Sequence, residues 1–391
     1  MTKNNSHTVK NVLIFTSSLG WGGAETHLVR IANELDKLNC KVQVAVVDGG
    51  GVNEQFLNSN ISLLVFNRSK SLESYGNLMM SVFYLRRKIQ EINPQVIYSV
   101  MDHANVFALL AILGLKTKPI SVISVQNTPS KKYFFDRRLT SRLTLRLMKL
   151  LYRKASAVVA SSEGVQHDLN KLIPSTLKNT RVIYNAGYDD NVIRLSKDIA
   201  KNITRNISIV VACGRLIYQK GFSYLLQAMN IVNKTRSVKL FIIGDGPEKA
   251  SLLSLASELN ILDRVVITGF VENPYQFMAQ ADVFVLSSIF EGCSNVIAEA
   301  MSIGVPVIST DCPYGPGELI DIGENGMLVP MENAQAIANA ILYLLENPIF
   351  AAILSEKARS SVKKRHSTYI ANQYYELFNA LWNREGSKAI I

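Results

Sequence analysis

The chain has 391 residues, of which 48% are hydrophobic and 19% are charged, and this length predicts two domains of ~100–200 residues each. Its cysteines, Cys40, Cys213, Cys293 and Cys312, lie far apart, which argues against a disulfide framework or a zinc cluster and favours a reducing compartment. The longest apolar run, "ANVFALLAILGL" from Ala104, is shorter than the ~20 residues of a membrane span, and we expect a buried helix there.

The pattern of the first half of the chain predicts a parallel α/β domain. It opens with the apolar strand "NVLIFTSS", the glycine loop "LGWGGAE", the helical pattern "THLVRIANELDKL" and the strand "KVQVAVVD". This order of elements is the building unit of a doubly wound sheet. Further strands are predicted at Val96–Val100, at Ile120–Gln126, at Ala157–Ser162 and in "TRVIYNAGYDD".

The net charge of +11 is concentrated in residues 131–154, which contain nine Lys and Arg residues and one acid, Asp136. The pattern predicts one amphipathic helix with apolar residues on one side and basic residues on its flanks. Its members are Tyr133, Phe134, Phe135, Leu139, Leu143, Leu147 and Leu150, with Arg138, Arg142, Arg146, Lys149 and Arg153. This composition is typical of an interfacial helix on an anionic bilayer. The alternative is a core-packed helix with a solvated basic face; a nucleic-acid patch is disfavoured because nothing else resembles a recognition module.

The second half repeats the α/β pattern after a polar linker that starts at Asp189. Its predicted strands are "ISIVVACG", Lys239–Gly246, Arg264–Phe270, Ala281–Ser288 and Pro306–Thr310. Helical patterns separate these strands, and the tail from Asn333 is helical. Both halves are therefore predicted to be Rossmann-like, doubly wound α/β domains. Such sheets bind ligands beyond the carboxyl ends of their strands, which predicts a site in a cleft between the domains.

Three glycines, Gly20, Gly22 and Gly23, stand before the first predicted helix in "SLGWGGAE". They free the backbone at a helix N-terminus, which favours an anion. Their spacing is not G-x-G-x-x-G, and the chain contains no P-loop "GK[ST]". The motif therefore supports neither a nicotinamide site nor an NTPase.

Two cations, Arg215 and Lys220, follow the first strand of the second half in "CGRLIYQKG". An arginine fork and a lysine point charge on one loop can neutralise a diphosphate; as an isolated pair they would be solvated surface charges. The turn "IIGDGPE" follows the next strand, and Gly246-Pro247 could bring backbone groups near a planar base, although the motif by itself is only a turn.

Two glutamates, Glu291 and Glu299, flank a predicted helix start in "FEGCSNVIAEAMSIGVPVIST". Asn295 is a candidate cap, and the backbone N–H groups of Gly292, Cys293 and Ser294 can bind a phosphate. Ionised carboxylates accept hydrogen bonds from sugar hydroxyls. The pattern predicts a nucleotide sugar with its phosphates at the helix end; the alternative is a capping acid and an exposed helix acid.

Together these motifs resemble the retaining glycosyltransferases of family 4, which have the GT-B fold of two Rossmann-like domains facing across a cleft. The resemblance covers nearly the whole chain, is densest from Cys213 to Pro330, and includes "GGAE", "VIYN", "GRLIYQKG", "GDGPE" and "NGMLVP" in the family's order. It implies an acceptor-side domain over residues 1–188 and a nucleotide-sugar domain over 189–365. It also implies a C-terminal helix, residues 366–391, that returns to the first domain.

The resemblance also implies roles for the matching residues. Arg215 and Lys220 would bind the donor diphosphate, and Gly22 and Gly23 would face it from the first domain. Glu299 would hold the ribose. Glu291 would contact the transferred sugar. The backbone amides that would contact the sugar or phosphate are those of Gly292, Cys293, Ser294, Asn295 and Val296.

One position departs from the family pattern. Many relatives carry a histidine just after the strand that matches "VIYSV", where this chain has Val100 followed by Met101, Asp102 and His103. We expect His103 to contact the sugar or the acceptor, with Asp102 as the competing candidate. A loop histidine without a chemical role is the other interpretation.

The sequence thus predicts a retaining hexosyltransferase that needs no metal or other cofactor, since the chain has no Asp-x-Asp pair. It would move a hexose or N-acetylhexosamine, with UDP the expected carrier, to a lipid-linked or surface-polysaccharide acceptor. The expected location is cytoplasmic, peripheral on the inner face of the membrane, because the N-terminus lacks the order of a signal peptide. The alternatives are a nucleotide-sugar epimerase of the same architecture and a non-catalytic sugar-nucleotide-binding scaffold on the membrane.

Overall fold

The computed structural model describes residues 8–67, 75–135, 138–176, 178–200, 203 and 206–386. The chain forms two compact units: Met1–Ala186 with Ser367–Ile391, and Gly187–His366. The first boundary lies two residues before the predicted one, and the second lies one residue after it. The reason is local pairing: the Gly187 N–H donates to Arg365 O at 2.8 Å, and Tyr188 bridges to His366. Both connecting segments therefore belong to the second unit.

The first unit contains a parallel sheet in the order β3-β2-β1-β4-β5-β6-β7. Its strands are β1 (Asn11–Thr16), β2 (Lys41–Asp48), β3 (Ser62–Asn67), β4 (Val96–Val100), β5 (Ile120–Val125), β6 (Ala157–Ala160) and β7 (Thr180–Val182). Its helices are α1 (Gly23–Lys37), α2 (Tyr75–Ile92), α3 (Asp102–Ile112), α4 (Pro129–Phe135), α5 (Leu139–Leu151), α6 (Glu163–Leu172) and α14 (Ser367–Gly386). The predicted strands are confirmed, whereas β3, α2 and α6 were not predicted.

Helices cover both faces of this sheet, as a doubly wound fold requires. On one face α1 and α14 pack together over Ile14, Val44 and Tyr98. On the other, α2, α3 and α5 pack over Phe15 and Ile97, with α3 between α2 and α5. The apolar run predicted as a buried helix is α3, and it is buried along most of its length.

The basic segment differs from its prediction as a single amphipathic helix. It forms two helices, α4 and α5, followed by a 3-10 turn at Tyr152–Lys154. Asp136 and Arg137, and the side chain of Phe135, lie outside the described residues. The face of α5 that packs inward carries Ser141, Thr144, Met148 and Leu151. Of the predicted leucine face, Leu139, Leu143 and Leu150 are exposed, and Leu147 is partly buried against the core.

The second unit contains a parallel sheet in the order β10-β9-β8-β11-β12-β13. Its strands are β8 (Ser208–Cys213), β9 (Val238–Ile243), β10 (Val265–Gly269), β11 (Val283–Leu286), β12 (Val307–Thr310) and β13 (Met327–Val329). Its helices are α7 (Asp190–Leu195), α8 (Phe222–Asn233), α9 (Lys249–Glu258), α10 (Tyr275–Met278), α11 (Asn295–Ile303), α12 (Ala334–Glu346) and α13 (Pro348–Ser361). Several strands end earlier than predicted, which places Gly244, Gly246 and Ser288 in loops at the carboxyl edge.

Within the described part of the chain, no single helix is long and apolar enough to cross a membrane. One pair, Ala334–Glu346 with Pro348–Arg365, satisfies length and composition together but bends by 102° at its break.

Candidate active site

The loop after β8 is shaped by a left-handed glycine. Gly221 has φ +60°, and a Cβ there would lie 2.2 Å from Ser287 O, so the position requires glycine. The Ser287 hydroxyl in turn donates to Lys220 O at 2.8 Å. These contacts fix the turn Tyr218–Lys220 against the end of β11 and aim the lysine along the edge of the sheet.

Lys220 and Glu291 form an ion pair in this unit. Lys220 Nζ lies 2.6 Å from Glu291 Oε1, and both side chains are largely buried, at 17% and 8% exposure. The Ser288 hydroxyl donates to the same oxygen at 2.6 Å. The sequence analysis expected Lys220 to bind a phosphate and Glu291 to bind the sugar. In the structure, the two side chains also neutralise each other. Ser288 was not predicted.

The start of α11 lies directly beside this pair. Gly315, at φ +89°, approaches so closely that a Cβ would be 3.3 Å from Ser294 Oγ and 3.4 Å from Glu291 Cβ. The Asn295 N–H donates to Cys293 O at 3.0 Å. Of the predicted ligand-binding amides from Gly292 to Val296, the one at Asn295 is thus already used inside the turn. The Ser294 hydroxyl is buried and has no hydrogen-bond partner among the residues that the structure describes.

Glu299 is held inside the same helix by a residue that the sequence did not reveal. The Tyr275 hydroxyl, from α10, donates to Glu299 Oε1 at 3.2 Å, and Glu299 is only 9% exposed. The predicted ribose-binding carboxylate therefore has an orienting partner 24 positions away. No spacing signal in "NPYQF" could have identified it.

Two cysteines in this neighbourhood stay protonated at physiological pH. Burial raises the pKa of Cys213 to about 12, the negative charge of Glu299 adds to the shift, and Lys220 opposes it. Burial, together with the charge of Glu291, raises the pKa of Cys312 to about 12. These neutral thiols are poor nucleophiles.

Arg215 and Gly246 occupy neighbouring loops. Arg215 is exposed at the end of β8. The Leu216 N–H donates to Asp245 O at 2.9 Å, and a Cβ on Gly246 would lie 2.5 Å from Leu216 O. Gly246 is therefore needed for the close approach of the two loops, and its contact with a base stays a prediction.

The first unit carries the remaining predicted residues at the carboxyl edge of its sheet. Gly22 and Gly23 start α1, and the Glu25 side chain folds back over Gly22. Their contact with a diphosphate stays a prediction.

Asp102 and His103 form the first turn of α3. Asp102 is buried and accepts hydrogen bonds from Lys132 Nζ at 2.7 Å and from the Tyr133 hydroxyl at 3.0 Å. His103 Nδ1 lies 3.0 Å from Thr144 Oγ1. Asp102 thus anchors α4, while His103, half-buried, contacts α5. The contact of His103 with a sugar or an acceptor stays a prediction.

Among the described residues no group of three or more His, Cys, Asp or Glu side chains is arranged to hold a metal ion.

Two family models match this chain, one mainly in each unit. A family model described as Glycosyltransferase Family 4 matches residues 21–187, and one described as Glycosyl transferases group 1 matches residues 207–347. This chain belongs to glycosyltransferase family 4. The predicted resemblance and the GT-B fold class are both confirmed.

Three relatives of this glycosyltransferase show the range of its family. It is 28% identical over 362 residues to N-acetylgalactosamine-N,N'-diacetylbacillosaminyl-diphospho-undecaprenol 4-alpha-N-acetylgalactosaminyltransferase of Campylobacter jejuni, covering 92% of this chain and 96% of that protein. It is 31% identical over 228 residues to the lipopolysaccharide core biosynthesis glycosyltransferase LpsE of Rhizobium meliloti, covering 58% and 65%. The crystal structure of Anabaena Alr3699/HepE in complex with UDP and glucose matches with a TM-score of 0.80 and 26% identity, covering 94% and 99%.

Proposed function

We propose that this glycosyltransferase moves a hexose or N-acetylhexosamine from a UDP-sugar, with retention of configuration and without a metal ion. The observation that carries the proposal is the Lys220–Glu291–Ser288 group beside the start of α11. It lies beyond the carboxyl ends of the strands, where doubly wound sheets bind their ligands. The similarity to a protein solved with UDP and glucose supports the choice of donor.

We propose a role for each group in the second unit. The bond that breaks joins the anomeric carbon to a phosphate oxygen, so negative charge develops on the leaving diphosphate. Lys220 Nζ and the exposed guanidinium of Arg215 can stabilise that charge, together with the N-terminus of α11. Glu299, oriented by Tyr275, would accept hydrogen bonds from the ribose. Glu291 would accept them from the transferred sugar.

Retention fits a reaction in which the acceptor attacks from the face of the leaving group. A donor phosphate oxygen would then take the acceptor's proton. Burial raises the pKa of Cys213 and of Cys312 to about 12, which disfavours both thiols as covalent nucleophiles.

The donor proposal is tested by thermal shift with a panel of nucleotide sugars and by release of nucleoside diphosphate. A bound donor raises the apparent stability of the native state. We expect Lys220→Ala to lower kcat/KM by ~10²–10³-fold, since it removes a charge that acts on the leaving group. The control is Lys357→Ala, which removes an exposed pair with Glu324. Full activity of Lys220→Ala would overturn the site.

The same assay separates transfer from epimerisation. A transferase releases nucleoside diphosphate in proportion to acceptor added, whereas an epimerase converts its donor with no acceptor present. A non-catalytic scaffold would bind the nucleotide sugar but would neither release nucleoside diphosphate nor convert the donor.

We also propose a lipid-linked or surface-polysaccharide acceptor and a peripheral position on the inner face of the cytoplasmic membrane. The similarity to an enzyme whose name specifies a diphospho-undecaprenol acceptor supports the first. The exposed face of α5 supports the second: Leu139, Leu143 and Leu150 are 77%, 44% and 58% exposed. Exposed basic residues run beside these leucines, namely Arg138, Arg142, Arg146, Lys149 and Arg153. We call these eight residues the α5 surface.

Flotation with vesicles of equimolar phosphatidylglycerol and phosphatidylcholine tests the membrane position. We expect the wild type to float at low salt and Leu139→Ser/Leu143→Ser to float much less, since exposed leucines and basic residues together bind anionic interfaces. A wild type that stays in solution would overturn this part of the proposal.

A further inference from the structure

Helix α2 carries a second exposed apolar stripe on the sheet face that α5 also covers. Met80, Phe83 and Tyr84 are 65%, 61% and 45% exposed, and Arg87 continues the same stripe. Positions 80, 83, 84 and 87 share one side of a helix. The opposite side packs inward through Ser81, Leu85 and Ile89. Large apolar side chains clustered on a surface mark interaction sites rather than random exposure.

The surroundings of this stripe are basic. Arg86 Nη1 donates to Leu113 O at 2.6 Å, which brings the end of α3 beside α2. Leu113 is itself 45% exposed. The nearby basic residues are Arg86, Arg87, Lys88, Lys116 and Lys118, and the acid among them is Glu91, which pairs with Arg87 and Lys88. The excess of positive charge matches an anionic surface.

The two stripes point away from the same face of one sheet. Leu85 and Ile89 of α2 and Met148 and Leu151 of α5 belong to one core on that face, with α3 between the two helices. Because the inner sides of both helices pack on this core, the outer sides of α2 and α5 are exposed on the same side of the sheet. Adjacent packed helices lie ~8–10 Å apart, so the stripes are separated by about two helix widths.

We infer that the outer side of α2, with Met80, Phe83, Tyr84 and Arg87, forms a second contact with the anionic bilayer together with Leu113, Lys116 and Lys118 after α3. The inference rests on the proposed membrane position. Two separated apolar contacts hold a protein against a plane in a defined orientation. With a single contacting helix, the whole protein can still rotate about the axis of that helix. The occupant is a lipid surface because basic residues border the apolar ones, the composition of an interfacial helix.

The test is vesicle binding by Met80→Ser/Phe83→Ser beside two other double variants. Leu139→Ser/Leu143→Ser replaces two of the three leucines of the α5 surface. Ile349→Ser/Ile353→Ser removes an exposed apolar pair, 79% and 48% exposed, from the second unit. We expect the α2 variant to lose at least about tenfold in partition coefficient, since two large apolar side chains are then kept out of the interface. The second-unit variant should bind like the wild type.

A charge variant gives an independent measurement. Lys116→Gln/Lys118→Gln changes two exposed side chains and should weaken binding and reduce its dependence on salt. If the α2 and charge variants bind like the wild type while the α5 variant does not, the second contact is overturned and the α5 contact stands. If the wild type does not bind at all, both fall. Far-ultraviolet circular dichroism checks that every variant is folded.

Discussion

At the scale of single residues, the ion pair between Lys220 and Glu291 is the main feature of the site. Two largely buried opposite charges stabilise each other, and removing one leaves the other uncompensated. A donor diphosphate would offer Lys220 a second anionic partner in the same place. The pair therefore holds the lysine in a fixed orientation before substrate arrives.

The hydrogen bond from Tyr275 to Glu299 gives a prediction at this scale. Tyr275→Phe removes the 3.2 Å bond but keeps the ring, so Glu299 loses its orienting partner. We expect KM for the donor to rise about fivefold with kcat within about twofold, which corresponds to a loss of about 1 kcal/mol in donor binding. Steady-state kinetics measures both, and Tyr343→Phe, at an exposed tyrosine of α12, is the control. A change in kcat alone would contradict the assignment to donor binding.

At the scale of elements, buried carboxylates from neighbouring helices hold α4 in place. Asp168 of α6 accepts hydrogen bonds from the Ser130 N–H, at 2.9 Å, and from its hydroxyl. Asp102 of α3 accepts them from Lys132 and Tyr133. A helix of seven residues is too short to be stable by propensity alone. Its position therefore depends on these tertiary contacts.

Asp102→Asn should detach this helix in part. Lys132, 29% exposed, would lose its carboxylate partner. We expect the first unit to lose about 2 kcal/mol in free energy of unfolding, less than for a fully buried pair. Urea unfolding measures it. The double variant Asp102→Asn/Lys132→Met should recover part of the loss, whereas additive losses would show that the two side chains do not interact.

At the scale of the whole molecule, helix α1 is hydrogen-bonded to two points of the chain. One is Ala186, where the chain leaves the first unit, and the other is the start of α14, where it re-enters. His27 Nδ1 accepts the Ala186 N–H at 2.9 Å, and Arg30 donates to Ala186 O at 3.0 Å. Glu34 accepts hydrogen bonds from Ser367 and Thr368 at the start of α14. These three positions lie on one side of α1, which therefore ties both connections to the core of the unit.

His27 makes the first unit sensitive to acid. Burial, and secondarily the charge of Arg30, lowers its pKa from 6.5 to about 3, so the unfolded chain takes up a proton at a higher pH than the folded one. The associated stability is constant above pH 6.5 and is lost as pH falls from 6.5 towards 3. Between pH 6.5 and 5 the loss is about 2 kcal/mol.

Tryptophan fluorescence can follow this loss, because both tryptophans, Trp21 and Trp382, belong to the first unit. We expect His27→Gln to be less stable at neutral pH and to show a smaller loss between pH 6.5 and 5. His167→Gln, at an exposed histidine, is the control. An unchanged pH profile in His27→Gln would contradict the role of this histidine.

By itself, the sequence determined the α/β class, most strands and the loops that form the candidate site. These features are local: apolar runs, glycine turns and helix starts depend on neighbours along the chain. Arg215, Lys220, Glu291 and Glu299 could therefore be selected from their motifs. The family match then confirmed the class of enzyme.

Only the tertiary structure decided which groups meet and which sides face the core. Lys220 and Glu291 are 71 positions apart, and Tyr275 reaches Glu299 from another element. The leucine side of α5 was predicted from periodicity, but a helix with apolar residues on more than one side can bury either of them. Packing against α3 buried the side with Thr144 and Met148 and left Leu139, Leu143 and Leu150 exposed, because burial depends on the surfaces of neighbouring elements and not on the helix alone.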